Sequence, residues 1–163
     1  MLKKLKKVII IAAAAVMLSA GFATAAPNEA HAAHWADNQM NWAFNKGIIT
    51  ADLRDSLATR QDVWIMIARW DGNYVGNYEK ARQYVVRNGI SDGTRGTNWV
   101  TRNETVAMLY NYFYGSGGWN PNKGFGDAFS WGRTVGVYDG SRGNDAATRA
   151  EVVTMIYNTR SNR

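Results

Sequence analysis

The sequence has no cysteine and only two histidines in 163 residues, and each scarcity removes a class of chemistry. Without cysteine there is no disulfide, no thiolate zinc site, no cysteine nucleophile and no lipid-modified N-terminal cysteine, so stability has to come from packing. The histidines, His31 and His34, both stand near the N-terminus. No histidine-based triad and no multi-histidine metal site is therefore expected in the body of the chain, and no cofactor.

A membrane-length apolar run is also missing. Lys3, Lys4, Lys6 and Lys7 precede the apolar stretch Val8 to Leu18, and the small residues Ala23-Thr24-Ala25 follow, which is the pattern of a secretory signal peptide with an A-x-A cleavage site. Ala30-His31-Ala32 offers a second such site. Residues 1–25 are expected to be a removed leader and 26–33 a short N-terminal segment. No later stretch approaches the roughly 20 apolar residues of a membrane helix, so no membrane association is expected once the leader is gone.

A charge excess is the third absence. The formal charge of +6 counts the four leader lysines, whereas all 13 acidic residues lie after Ala25. What remains is 15 basic residues against 13 acidic ones, a net of only +2. A polyanion binder working through bulk electrostatics keeps a basic excess or a clustered stripe, and neither is present. Nucleic acid is not expected as a partner.

What the chain does contain is itself, three times over. Gly47-Ile48, Gly89-Ile90 and Gly136-Val137 are each followed, 12 residues after the glycine, by Thr59-Arg60, Thr101-Arg102 and Thr148-Arg149. An acidic residue and an apolar run continue in register behind each Thr-Arg: Asp62 to Ile67, Glu104 to Leu109 and Glu151 to Ile156. Five residues ahead of each glycine stands an aromatic, Trp42, Tyr84 or Trp131. Each unit reads as helix, glycine-stopped turn, loop and helix, the glycine supplying the left-handed residue that ends the first helix. The class is all-α, with expected repeats at 34–70, 71–112 and 126–160 and a Gly/Asn/Pro-rich linker at 113–125.

Threonine with Asp or Glu three positions later is a capping box, which accounts for Asp62, Glu104 and Glu151 without any chemistry. The arginine between them has no such account, because a cation in the first helical turn faces the positive end of the helix dipole. Arg60, Arg102 and Arg149 either pair with a carboxylate of a neighbouring repeat, or face an anionic ligand, or do both.

Gly-Ile, a loop, and Thr-Arg-Ala-Glu before an apolar helix resembles the S-layer homology family, most closely at Thr148-Arg149-Ala150-Glu151, and the resemblance covers about His34 to Asn158. It implies a pseudo-threefold spindle in which three helices form a central bundle, with grooves that hold secondary cell-wall polysaccharide, often carrying acidic pyruvyl groups. One helix pair cannot bury its apolar face alone, and three can share a core. Carried over by position, the implied ligand set is Arg60, Arg102 and Arg149, the turns Asp92-Gly93 and Asp139-Gly140, and the aromatics Trp42, Tyr84 and Trp131. An arginine fork suits a carboxylate and an aromatic face suits the apolar side of a sugar. For the aromatics the competing role is core packing, and Trp64 belongs to the core.

The loops continue alike into Arg95 and Arg142, two further candidate anion contacts or simply solvated side chains. The first repeat departs from this pattern, with Thr50-Ala51-Asp52 in place of Asp-Gly, so its groove is expected to be filled differently or not at all. The turn-rich segments 70–74 and 115–122 either dock on the bundle or present their aromatics to sugar.

The resulting expectation is a secreted, wall-associated, non-catalytic polysaccharide-binding protein in which the repeats make up the whole mature chain. Two alternatives stand beside it. One is a secreted factor that uses the same scaffold to bind a protein partner or act as an antimicrobial. The other is a wall glycosidase using Glu104 and Glu151. Against the glycosidase, a capping position lowers a carboxylic pKa where a general acid needs it raised.

Overall fold

The computed structural model describes residues 33–162; the expected leader, His31 and the second cleavage motif lie outside the described residues. Six α-helices follow one another: α1 (Asp37–Asn45), α2 (Arg60–Trp70), α3 (Tyr78–Arg87), α4 (Arg102–Tyr114), α5 (Gly126–Thr134) and α6 (Arg149–Thr159), with a short 3-10 turn at Arg160–Asn162. Among the described residues there is no strand longer than an isolated bridge, and no helix is long and apolar enough to cross a membrane.

The repeat glycines end α1 and α3, and the corresponding turn after α5, in one geometry. Gly47, Gly89 and Gly136 have φ of 66°, 67° and 71°. The next residue's amide bonds back to the helix, from Ile48 to Ala43 O at 2.9 Å, Ile90 to Val85 O at 2.8 Å and Val137 to Gly132 O at 2.9 Å. This is the Schellman closure, and its accompanying apolar contact comes from Ile48, Ile90 and Val137, all buried. At the other end of the loop all three capping boxes form. Thr59, Thr101 and Thr148 each accept from the backbone amide three residues on, and the carboxylate there accepts from the threonine amide.

The loops between these two fixed points meet one another. The Ala58 amide donates to Ala147 O at 2.9 Å, the Ala147 amide to Val100 O at 2.9 Å, and the Val100 amide to Ala58 O at 3.0 Å, so three residues from three repeats close a cycle. All three are fully buried, and the cycle satisfies backbone groups that would otherwise cost free energy in the core. Helix two of each repeat starts from this ring, and α6 packs against both α2 and α4.

Helix one of each repeat packs on helix two of a neighbour: α3 on α2, α5 on α4, and α1 on α6. The packing unit is thus offset from the sequence repeat, and the first helix completes the last. Val63, Met66, Ile67, Val106, Leu109, Val152, Val153 and Ile156 fill the shared core, each at most 1% exposed. Trp64 is buried with them, its indole Nε1–H donating to Ser91 Oγ at 3.1 Å.

α4 runs to Tyr114, past the expected repeat end at 112, and stops where Gly115 turns left-handed (φ 81°). The extension is held by rings, with Tyr112 and Phe113 against Trp70 and Phe113 against Trp131. The linker then docks on α4, as Asn111 accepts from the Gly118 amide at 2.7 Å and donates to Ile90 O at 3.1 Å.

Candidate functional site: two clefts at the repeat junctions

The unexplained arginines have carboxylate partners in the neighbouring repeat. Arg60 Nη1 lies 2.8 Å from Glu104 Oε1, Arg102 Nη1 2.7 Å from Glu151 Oε1, and Arg149 Nη1 2.9 Å from Asp62 Oδ1. Each capping carboxylate therefore serves its own helix with one oxygen and an arginine of another repeat with the other. Arg60 and Arg102 are almost fully buried, a position tolerable for a cation only when it is paired and hydrogen-bonded. The pairing answers the poor placement of these arginines at a helix N-terminus.

Two of the three junctions are built further. Asp92 Oδ1 accepts from Arg60 Nη2 at 3.0 Å and from the Thr94 amide at 2.9 Å, and its other oxygen accepts from the Thr94 hydroxyl. Asp139 does the same with Arg102 at 2.9 Å and with the Ser141 amide and hydroxyl. The arginine Nε–H groups donate to Thr94 O and Ser141 O, at 3.0 and 3.2 Å. For Asp92, partial burial alone would push the carboxyl up, but Thr94 and Arg60 outweigh it and hold it below its ordinary value. Asp139 is held low chiefly by the Ser141 amide, with help from Arg102. Burial opposes ionisation of Glu151 too, and the Thr148 amide, Arg142 and Arg102 overcome it.

Gly93 (φ 69°) and Gly140 (φ 85°) allow these turns, and the residues two further on, Arg95 (φ 54°) and Arg142 (φ 49°), are left-handed without being glycine. That conformation costs on the order of 1 kcal/mol for such a residue. It recurs at the same place in two repeats and turns both guanidiniums back toward the junction, where Arg95 Nη2 stands 3.7 Å from Glu104 and Arg142 bonds Glu151.

Above each of these junctions opens a cleft. One, of about 740 Å³, is lined by Arg102, Asp139, Glu151 and Arg142 together with Arg133, Tyr138, Asn158 and Trp35. The other, of about 600 Å³, has Arg60, Asp92, Glu104 and Arg95, with Asn111, Met108, Phe125 and Trp119 around it. Trp35 is 61% exposed and Trp119 58%. Each belongs to the segment that leads into the helix packed beside its cleft, α1 on α6 and α5 on α4.

Of the two roles the sequence left open for the repeat aromatics, packing is the one their contacts describe. Trp42, Tyr84 and Trp131 line neither cleft. Trp42 meets Tyr157 edge-on at 5.2 Å, Tyr84 is buried with its hydroxyl on Asp71 at 2.7 Å, and Trp131 packs among Tyr110, Phe113 and Tyr114. Five residues before the glycine is the helix face that meets the neighbouring helix, so these rings bind helix to helix. The cleft aromatics sit instead at Trp35, two residues before α1, and Trp119, seven before α5, out of register with the repeat, so no constant spacing could reveal them.

The third junction differs. With Thr50 and Leu53 in place of the aspartate and the second arginine, Arg149 keeps only the Asp62 pair, and its Nε–H is buried with no partner. Tyr78 donates its hydroxyl to Asp62 Oδ1 at 3.0 Å. Arg54, one residue along, is occupied with Asp37 and Asp52.

Among the described residues no group of three or more metal-ligating side chains converges. No family model, no curated protein and no solved structure matches the chain.

Proposed function

We propose that this is a secreted cell-envelope protein that binds secondary cell-wall polysaccharide through the clefts between its repeats, without catalysis of its own. In this reading the repeats form an S-layer-homology-like, pseudo-threefold spindle with α2, α4 and α6 as its central bundle. The observation that carries it is the recurrence, at two equivalent junctions, of a cleft lined by ion-paired arginines and by a mostly exposed tryptophan. A tryptophan face takes the apolar side of a pyranose, while the arginine, aspartate and carbonyl groups beside it offer the hydroxyls and any acidic substituent directed hydrogen bonds.

The closed hydrogen-bond cycle of Ala58, Ala147 and Val100 favours the spindle. The state of Glu151 favours a non-catalytic role, since its amide and arginine partners hold the carboxyl below its usual range and a glycosidase acid works from above it.

Retention on purified wall sacculi, before and after acid stripping of the secondary polysaccharide, tests the reading. Trp35→Ala/Trp119→Ala is the informative variant, because both rings are mostly exposed and their loss leaves the core intact. Retention lost on stripping and in the variant is the expected result. Failure of the native protein to bind intact sacculi would remove the glycan reading and leave a secreted protein-binding or antimicrobial factor in its place.

A further inference from the structure

The two clefts are equivalent in the repeat but not in charge. In the larger, Arg102 and Arg142 are committed to Glu151 and Asp139. Arg133 is a third arginine on its wall, and among the described residues no carboxylate pairs with it. Its guanidinium carbon instead lies 5.8 Å from the Phe129 ring centroid. In the smaller cleft Arg60 and Arg95 face Asp92 and Glu104, so charge balances, and the remaining wall is largely apolar, including Met108, Trp119 and Phe125.

The position that makes the difference can be located in both. Arg133 and Val86 each stand three residues before their repeat glycine, and each lies against the left-handed glycine of its own turn. A Cβ on Gly140 would fall 2.9 Å from Arg133 Cδ, and one on Gly93 would fall 2.5 Å from Val86 Cγ2. Arg82 also lies against Gly93, but it donates to Gly93 O at 2.8 Å and pairs with Glu79, so the position three before the glycine carries an unpaired cation in one repeat and an apolar side chain in the other.

We propose that the clefts divide the glycan between them, the Arg133 cleft taking a carboxylate-bearing sugar residue and the Trp119 cleft an uncharged one; this rests on the clefts being glycan sites. A carboxylate entering the balanced cleft gives up hydration and finds every guanidinium already shared with an acid. In the other cleft Arg133 supplies a free planar fork, and a charge-assisted pair of that kind is among the stronger polar contacts available. An uncharged pyranose gains only neutral-acceptor hydrogen bonds from Arg133, weaker than the charge-assisted pair, and gains more from the apolar wall and ring of the Trp119 cleft.

The experiment follows the indole N–H resonances of Trp35 and Trp119 in the 15N-labelled protein during titration with methyl glucuronopyranoside and, separately, methyl glucopyranoside, a pair that differs in the carboxylate. The acidic probe is expected to shift Trp35 at a concentration about tenfold or more below that needed for Trp119, with the order reversed for the neutral probe. Arg133→Gln should abolish the preference of the Trp35 cleft for the acid, and Val86→Arg should confer it on the Trp119 cleft. Equal responses of both indoles to both probes would overturn the division while leaving glycan binding intact. Silence of both indoles in protein that sacculi retain would overturn it too, and silence together with failed retention would take the glycan reading down as well.

Discussion

Replacing Arg102 with alanine tests whether the junction arginines hold the repeats together. The change removes the 2.7 Å pair with Glu151 and the 2.9 Å pair with Asp139. Asp139 is 64% exposed at its side chain and can rehydrate, whereas Glu151 is 9% exposed and cannot. Breaking a buried pair by deleting one partner costs about 3–5 kcal/mol. Glu151 keeps the Thr148 amide at 2.9 Å and Arg142, which places the cost at the lower end, about 3 kcal/mol. For a folded unit of this size that is a fall in Tm of about 10 °C.

Arg149→Ala is the internal control. Arg149 makes one ion pair and leaves its Nε–H unbonded, and Asp62 retains the Thr59 amide, the Thr59 hydroxyl and Tyr78. The expected loss is about 1–2 kcal/mol, or roughly 5 °C. Thermal melts followed by circular dichroism, with urea titrations to check that the m-value is unchanged, give both numbers. An Arg149→Ala loss equal to or larger than that of Arg102→Ala would refute the reasoning, and unchanged melts for both would mean that the arginines are held for a ligand alone.

Two further outcomes follow from the same geometry. Gly47 and Gly89 share a left-handed φ, but a Cβ meets nothing at Gly47 and comes 2.2 Å from Gly115 O at Gly89; Gly47→Ala should cost about 1 kcal/mol and Gly89→Ala clearly more, by denaturant titration. Asp62, Asp92, Asp139 and Glu151 all have carboxyls lowered by folding, so their contribution is fully present above the ordinary carboxylate range and is lost as pH falls through the lowered values. Stability should decline from about pH 5 downward, and Glu151→Gln should flatten that decline in melts taken across the acid range.

The local chemistry was legible because it is written in short-range rules. Gly47, Gly89 and Gly136 are where a helix must turn left-handed, and Thr59, Thr101 and Thr148 with an acid three residues on are where the next must begin. The misfit of Arg60, Arg102 and Arg149 at a helix N-terminus announced a distant partner, and the carboxylate of another repeat was among the candidates. The roles of the aromatics were not legible in the same way. Trp42, Tyr84 and Trp131 keep register with the repeat because helix packing recurs with it, whereas Trp35 and Trp119 lie in connecting segments of unequal length.

The sequence by itself determined where helix one of each repeat stops and helix two starts, the thrice-repeated capping boxes and the likeness of the 92–95 and 139–142 turns, since each depends on groups within a few residues of one another. Tertiary structure alone decided that α1 packs on α6 rather than within its own repeat, that Ala58, Val100 and Ala147 close a ring, and that Arg149 is left with one partner where Arg60 and Arg102 have two. Those outcomes depend on which surfaces meet across about 40 to 100 intervening residues, and spacing along a chain carries no record of that.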